Sequence, residues 1–415
     1  MMTQKLKMSG SRMRIAVITD LHYVLDTTTD PSSYRPQMAN GQKFDPIEKL
    51  GNFLTSNAIK ANVLLCPGDI TNQAAHPAFI KGWENLKTLR DKLCAVELIA
   101  VTGNHEVDSR ASESMKTVGL VEETVDPIGL LQSIEDYPAS FLKNPDQRWI
   151  YWGRGYEIIE DDDAVIVLIN SCHFHITMQP NEYERGKISQ VVLDSFKKRV
   201  TELASSKKFR IVLMHHHPIS QHDTEGSGQI DMYNGSKLME ILNESYNDWL
   251  IIHGHKHDPR LIRAQGAATP PIVFSAGSFG AALSGALATK TKNQFYILEL
   301  ESIQNVSGTL EMRGRIEAYY WTSTEWRPAI EDEHGLPNGC GFANNVNIDE
   351  IATDVRDHLQ TIPGSFMKWT EICEVLPALN YLMPFEIKKL RYLLGRLKVN
   401  LGGDSRLSFP TELSL

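Results

Sequence analysis

Short apolar runs recur along this chain, and five of them stop abruptly at a group of oxygen- and nitrogen-bearing side chains. RIAVIT runs into Asp20-Leu21-His22, NVLLCP into Gly68-Asp69, and ELIAVT into Gly103-Asn104-His105-Glu106. RIVLM runs into His215-His216-His217, and WLII into His253-Gly254-His255-Lys256-His257. Such continuous apolar runs, bounded by glycine, proline and polar residues, predict buried strands. Between them lie segments of helical period, residues 79–92 (FIKGWENLKTLRDK) and 188–203 (ISQVVLDSFKKRVTEL). Strands alternating with helices predict an α/β chain whose strands feed polar loops.

Two more strands, RGYEIIE and AVIVLINS, flank Asp161-Asp162-Asp163, which reads as a solvated hairpin turn rather than a ligand group. After the fifth cluster, PPIVFSAGS, NQFYILEL and GRIEAYYW predict strands that complete a sheet. Residues 111–150 are polar and weakly periodic, and are expected to form an insertion capping the site. Composition shifts near Pro328 to an acidic stretch rich in glycine, proline and asparagine, then becomes helical to Asn400. The expected organisation is a domain over 1–330 and a mainly helical accessory segment over 331–415.

A hydrophobic fraction of 42% supports a sizeable core. The net charge of -9 lacks the basic excess of a general polyanion binder, although a local basic face or bound metal suffices for nucleic acid. The residues before Arg14 lack an apolar signal core and no run approaches the roughly 20 apolar residues of a membrane span, so a cytoplasmic protein is expected. Cys66, Cys94, Cys172, Cys340 and Cys373 are scattered without CxxC spacing, which indicates neither a disulfide framework nor a zinc ribbon.

The five clusters have the chemistry of metal ligands. Asp20 and His22 alternate at a strand end, so one oxygen and one nitrogen face the same side. Asp69 has two oxygens and can bridge two cations. Asn104 offers a neutral carbonyl oxygen, and His105 an imidazole directed elsewhere, so a ligand and an acid–base group share one turn. His255 and His257 flank Lys256, and His215 adds a third imidazole. Mixed imidazole, carboxylate and amide donors suit manganese, iron, zinc, cobalt or nickel more than calcium or magnesium.

In this order, DxH, GD, GNH[DE], H and GHxH, the clusters resemble the calcineurin-like metallophosphoesterase superfamily over about residues 14–325. The resemblance implies two facing mixed sheets flanked by helices, a four-layer αββα fold, with two divalent ions at the strand ends. It implies one ion held by Asp20, His22, Asp69 and His257, and another by Asp69, Asn104, His215 and His255. His105 resembles the noncoordinating histidine that contacts phosphate and assists the leaving group, and Glu106 the acidic residue that orients it. Water activated by the metal pair would attack phosphorus.

Other histidines compete for roles. His215 stands at the strand end and is the expected ligand, with His216 the alternative and His217 a loop residue. His253 reads as a buried imidazole, His173 and His175 as residues near substrate, and His76 as a helix-entry residue. Asn72 is placed to help position Asp69, while His222 and Asp223 belong to an exposed loop.

Residues 384–399 (PFEIKKLRYLLGRLKV) place Leu390, Leu393, Leu394 and Leu397 at helical spacing with Lys388, Lys389, Arg391, Arg396 and Lys398 between them. The leucine stripe is expected to dock, leaving the charges in water, although a basic amphipathic helix also suits nucleic acid or an acidic protein partner. The expected function is a phosphodiesterase or phosphatase acting on a small, nucleotide-like phosphate ester. The alternative is a DNA- or RNA-cleaving nuclease of the same superfamily working with a partner; a noncatalytic metal-stabilised module is a third reading that His105 argues against.

Overall fold

The computed structural model describes residues 11–25, 44–107, 127–139, 145–175, 184–203, 206–220, 231–245, 248–264, 270–305, 307–344 and 346–415. The apolar runs before the first three clusters form parallel strands β1 (Arg12–Val17), β2 (Val63–Cys66) and β3 (Glu97–Ala100). The long antiparallel strands β10 (Gln294–Gln304) and β11 (Leu310–Trp321), with β12 (Trp326–Pro328), extend this sheet in the order β12-β11-β10-β1-β2-β3.

A second sheet begins with a hairpin of β4 (Tyr156–Glu160) and β5 (Ala164–Ile169), closed by the acidic Asp161–Asp163 stretch. It continues through parallel strands β6 (Phe209–Met214), β7 (Trp249–His253) and β9 (Ile272–Ser275), with β8 (Arg260–Arg263) antiparallel at the edge. Strand alternation divides these buried residues between two faces. Ala164, Ile166, Leu168, Ile211, Leu213, Leu250 and Ile252 join the first sheet in one apolar core. Val165, Val167, Ile169, Val212, Met214 and Ile251 face the other way, against Leu193, Phe196, Leu238 and Leu242 of the helices Gln190–Thr201 and Gly235–Ser245. On the first sheet, Leu50, Leu54, Phe79, Trp83 and Leu86 come from the helices Pro46–Ser56 and His76–Lys92. The result is the expected αββα layering.

The segment after residue 330 is not held by a linker alone. The short strand β13 (Gly341–Phe342) pairs with β11, and Phe342, Ile348, Leu382, Leu390 and Leu394 belong to the same apolar core as the first sheet. Besides the helices Ile348–Thr361, Trp369–Val375 and Pro384–Arg396, this segment contains a three-stranded antiparallel sheet, β14 (Phe366–Lys368), β15 (Asn400–Gly402) and β16 (Glu412–Ser414), in the order β14-β16-β15. Among the described residues no helix is long and apolar enough to cross a membrane.

Candidate metal centre

Parallel strands end on one side of a sheet, where loops can converge on a ligand. The loops after β1, β2, β3, β6 and β7 do so, and bring the seven expected ligands together. His22 Nε2 lies 3.0 Å from His257 Nε2, and His257 Nε2 lies 3.3 Å from Asp20 Oδ1. His215 Nε2 stands 2.9 Å from Asn104 Oδ1 and 3.2 Å from Asp69 Oδ2, while His255 Nδ1 is 3.0 Å from the same Asn104 oxygen. Asp69 Oδ2 also lies 3.8 Å from His22 Nε2, so one carboxylate oxygen faces both groups.

The local backbone is unusual. Asp20, His22, Asp69, His255 and His257 all have positive φ, between 47° and 80°. Non-glycine residues avoid this region, at a cost of roughly 1–3 kcal/mol each, and such strain concentrates at functional sites. Glycines make the close approach feasible. A Cβ on Gly103 would overlap the Asp69 backbone nitrogen and Oδ1, and one on Gly254 would overlap Asp20 Oδ2 and lie 2.6 Å from Thr19 Oγ1.

The donors fit a pair of cations. His215 Nδ1 is 2.9 Å from the Pro67 carbonyl, and His255 Nε2 is 2.8 Å from the Glu184 carbonyl. A carbonyl only accepts, so each of these nitrogens carries its proton, and the neutral His255 ring presents its Nδ1 lone pair to Asn104 Oδ1. Lone pairs facing an acceptor oxygen at about 3 Å are repulsive unless positive charge lies among them. Burial pulls His22 down to about 3 and His255 well below the usual histidine range. Burial would raise the carboxyls of Asp20 and Asp69, yet His257 holds Asp20 down and His215 holds Asp69 well below the carboxylate range. His215 alone moves up: burial lowers it, but Asp69 more than reverses that, to about 9. Neutral imidazoles and ionised carboxylates are the states a metal needs, with His215 surrendering a proton on binding.

His105 sits beside this group, its ring edge-on to His22 at 4.7 Å between centroids. Its backbone N–H donates to Asp69 Oδ1 at 2.9 Å, and its Nδ1 accepts the Gln73 N–H at 3.4 Å, which leaves the ring proton on Nε2.

Glu106 is not behind the His105 ring. Consecutive side chains project apart, and its carboxylate turns back to accept the backbone N–H groups of Asp69, Ile70, Thr71 and Gly103 at 2.8, 2.5, 3.1 and 2.6 Å. It therefore ties the turn carrying Asp69 to the turn carrying Asn104. Burial, aided by Asp69, pushes its carboxyl up to about 8, while the N–H groups favour the anion. Glu106→Gln puts an NH2 against these donors, a loss of about 1–3 kcal/mol. Metal titration of this variant should show affinity reduced about 10–100-fold, the size expected when a ligand's support is removed; unchanged affinity would remove Glu106 from the site's framework.

The remaining histidines separate by position. His216 turns Nδ1 to Ser171 Oγ at 2.8 Å and packs edge-on to His175. His217 stacks on His255, with 6.0 Å between ring centroids, and His253 is buried with Nδ1 3.1 Å from the Gly254 carbonyl. His173 is half-buried, and His76 opens the helix His76–Lys92. His222 and Asp223 lie outside the described residues, as do residues 111–126 of the expected capping insertion. Its described part reaches the centre's base, where Tyr137 Oη donates to Thr102 Oγ1 at 3.3 Å.

Several supports carried no sequence signal. Thr19 Oγ1 donates to Asp20 Oδ2 at 2.8 Å, Ser278 Oγ donates to the Asp20 carbonyl at 2.8 Å, and the Pro67 and Glu184 contacts come from backbone carbonyls.

A family model described as calcineurin-like phosphoesterase matches residues 13–259. No curated protein matches the chain. Among solved structures, the chain is similar to a dimetal phosphatase from Danio rerio at 12% identity, with 76% of this chain and 98% of that chain covered and a TM-score of 0.43. It is also similar to a purple acid phosphatase from yellow lupin seeds at 12% identity, with 77% of this chain and 53% of that chain covered and a TM-score of 0.45.

Proposed function

The chain belongs to the calcineurin-like phosphoesterase family and is a metal-dependent phosphoester hydrolase, and we propose that it cleaves small, nucleotide-like phosphate mono- or diesters at a two-ion centre. The observation that carries this reading is the position of Asp69 Oδ2 between two groups of donors. Asp20, His22 and His257 would hold one ion with Asp69, and Asn104, His215 and His255 the other. The mixed donor set suits manganese, iron, zinc, cobalt or nickel. When bound, such a pair polarises a phosphoryl oxygen and makes water a competent nucleophile near neutral pH.

The chain's own residues do the rest. Asp69 and Asn104 keep the two donor groups adjacent, and Glu106 holds both of their turns by backbone contacts. His105 Nε2–H would hydrogen-bond a phosphate ester, and in its imidazolium form His105 would pass that proton to the departing oxygen, Nδ1 keeping the other proton and giving up the Gln73 contact. The acidic balance of the chain, -9, favours a small substrate over a long polyanion in the reaction centre.

A panel tests this directly. Protein loaded with each candidate metal should turn over nucleoside monophosphates, cyclic nucleotides or bis-p-nitrophenyl phosphate faster than single-stranded DNA. Inactivity on all three classes with every metal would overturn the proposal, and faster cutting of DNA would shift it to a nuclease.

A further inference from the structure

The C-terminal segment runs helix (Ile348–Thr361), strand (β14), helix (Trp369–Val375), helix (Pro384–Arg396), strand (β15), strand (β16), with the strands ordered β14-β16-β15. This is the order of a helix-turn-helix module carrying a β-wing, with Pro384–Arg396 in the place of the helix that enters a nucleic-acid groove. A short 3-10 turn, Pro377–Tyr381, connects the second and third helices.

The faces of that third helix differ sharply. Ile387, Leu390 and Leu394 are buried in the core, and Arg391 donates to the carbonyls of Leu407 and Ser408 in the wing. The wing itself rests on the body of the enzyme, where Ser408 Oγ donates to Asp332 Oδ1 at 2.7 Å. The solvent face is a continuous stripe of Phe385, Lys388, Lys389, Tyr392, Gly395 and Arg396, spaced three and four apart. It contains three cations, two aromatics and no carboxylate, in a chain of net charge -9. Phe385 is 55% and Tyr392 65% exposed, too much for residues whose role is packing. Among the described residues, Lys388 and Arg396 make no ion pair, and Lys389 has only the solvent-exposed Asp349 at 2.8 Å. Such an exposed pair is worth at most about 1 kcal/mol and yields readily to a phosphate.

We propose that this stripe is a docking face for duplex nucleic acid, with the Pro384–Arg396 helix seated in a groove and its cations on phosphates. A helix of 13 residues is about 20 Å long, and a major groove about 12 Å wide admits it. A membrane surface fits less well, because an interfacial helix inserts its apolar face, and here that face is committed to the protein core. This binding is separate from the reaction proposed above and holds whichever phosphate ester is cleaved.

The test is fluorescence anisotropy of the full chain with a short labelled DNA duplex across ~50 to ~200 mM salt. The wild type should bind, and Lys388→Ala/Lys389→Ala/Arg396→Ala should bind at least about tenfold more weakly, with a log–log salt slope shallower by roughly 2.7, for three lost phosphate contacts. Phe385→Ala/Tyr392→Ala should weaken binding and keep the slope. Both variants should retain the wild-type thermal midpoint and wild-type hydrolysis of bis-p-nitrophenyl phosphate, because the altered side chains face water. Absence of duplex binding at low salt overturns the proposal, as does binding that the triple variant leaves intact, which would place nucleic acid elsewhere on the chain. Capture by anionic vesicles or by an acidic protein without duplex binding also overturns it.

Discussion

Asp69→Asn should lose both ions together and lower kcat/KM at least about a thousandfold, equivalent to ~4 kcal/mol of transition-state stabilisation. The substitution is nearly isosteric, so the effect is electrostatic. In the wild type, Asp69 Oδ2 faces His215 Nε2 at 3.2 Å and His22 Nε2 at 3.8 Å. An amide there removes a full negative charge from the point where the two donor groups meet, and can place N–H groups where lone pairs are needed. Asp69 is also the group that lifts His215 to about 9, so the variant should have a less basic His215 as well. Metal analysis and kinetics on the same preparation check this. A variant that retains two tightly bound ions would show that the carboxylate does not join them.

His105→Ala should do the opposite to metal and much the same to turnover. The ring lies beside His22, and the His105 backbone N–H donates to Asp69 Oδ1, a contact that alanine preserves. Both ions should stay. The kcat should fall about 10²–10⁴-fold, the usual contribution of a positioned acid–base group, for esters with alkoxide leaving groups. With p-nitrophenolate, which departs without help, the loss should shrink. An equal loss for good and poor leaving groups would remove proton transfer from the role of His105, and loss of metal would make it a structural residue.

These two residues also show how far the sequence could be read. Strand ends were visible because continuous apolar runs stop at ligand-type side chains, and the loops after β1, β2, β3, β6 and β7 meet on one side because parallel strands share a direction. The position of Glu106 was hidden. Its neighbour in the chain, His105, suggested a partner, whereas its real contacts are four backbone N–H groups that no side-chain pattern records. The left-handed backbone at Asp20, His22, Asp69, His255 and His257 was only faintly legible, since aspartate and histidine are enriched at such φ values but residue type does not say which of them adopt it. The carbonyls of Pro67 and Glu184, which set the histidine tautomers, follow from chain path alone.

In the C-terminal segment the leucine stripe announced a docked helix, and Leu390 and Leu394 are buried as that pattern requires. The small sheet beside it escaped notice because strands of three residues are too short to show alternation. Without that sheet, the charged face reads as a solvated surface. With it, the same face occupies the groove-facing position of a recognisable module.

The most direct test of the central claim is anomalous diffraction from crystals of manganese-loaded protein. Two peaks should appear against Asp69, one among Asp20, His22 and His257 and the other among Asn104, His215 and His255. A single peak, or a second ion at His216 with Asn104 and His255 uninvolved, would contradict the two-ion centre described here.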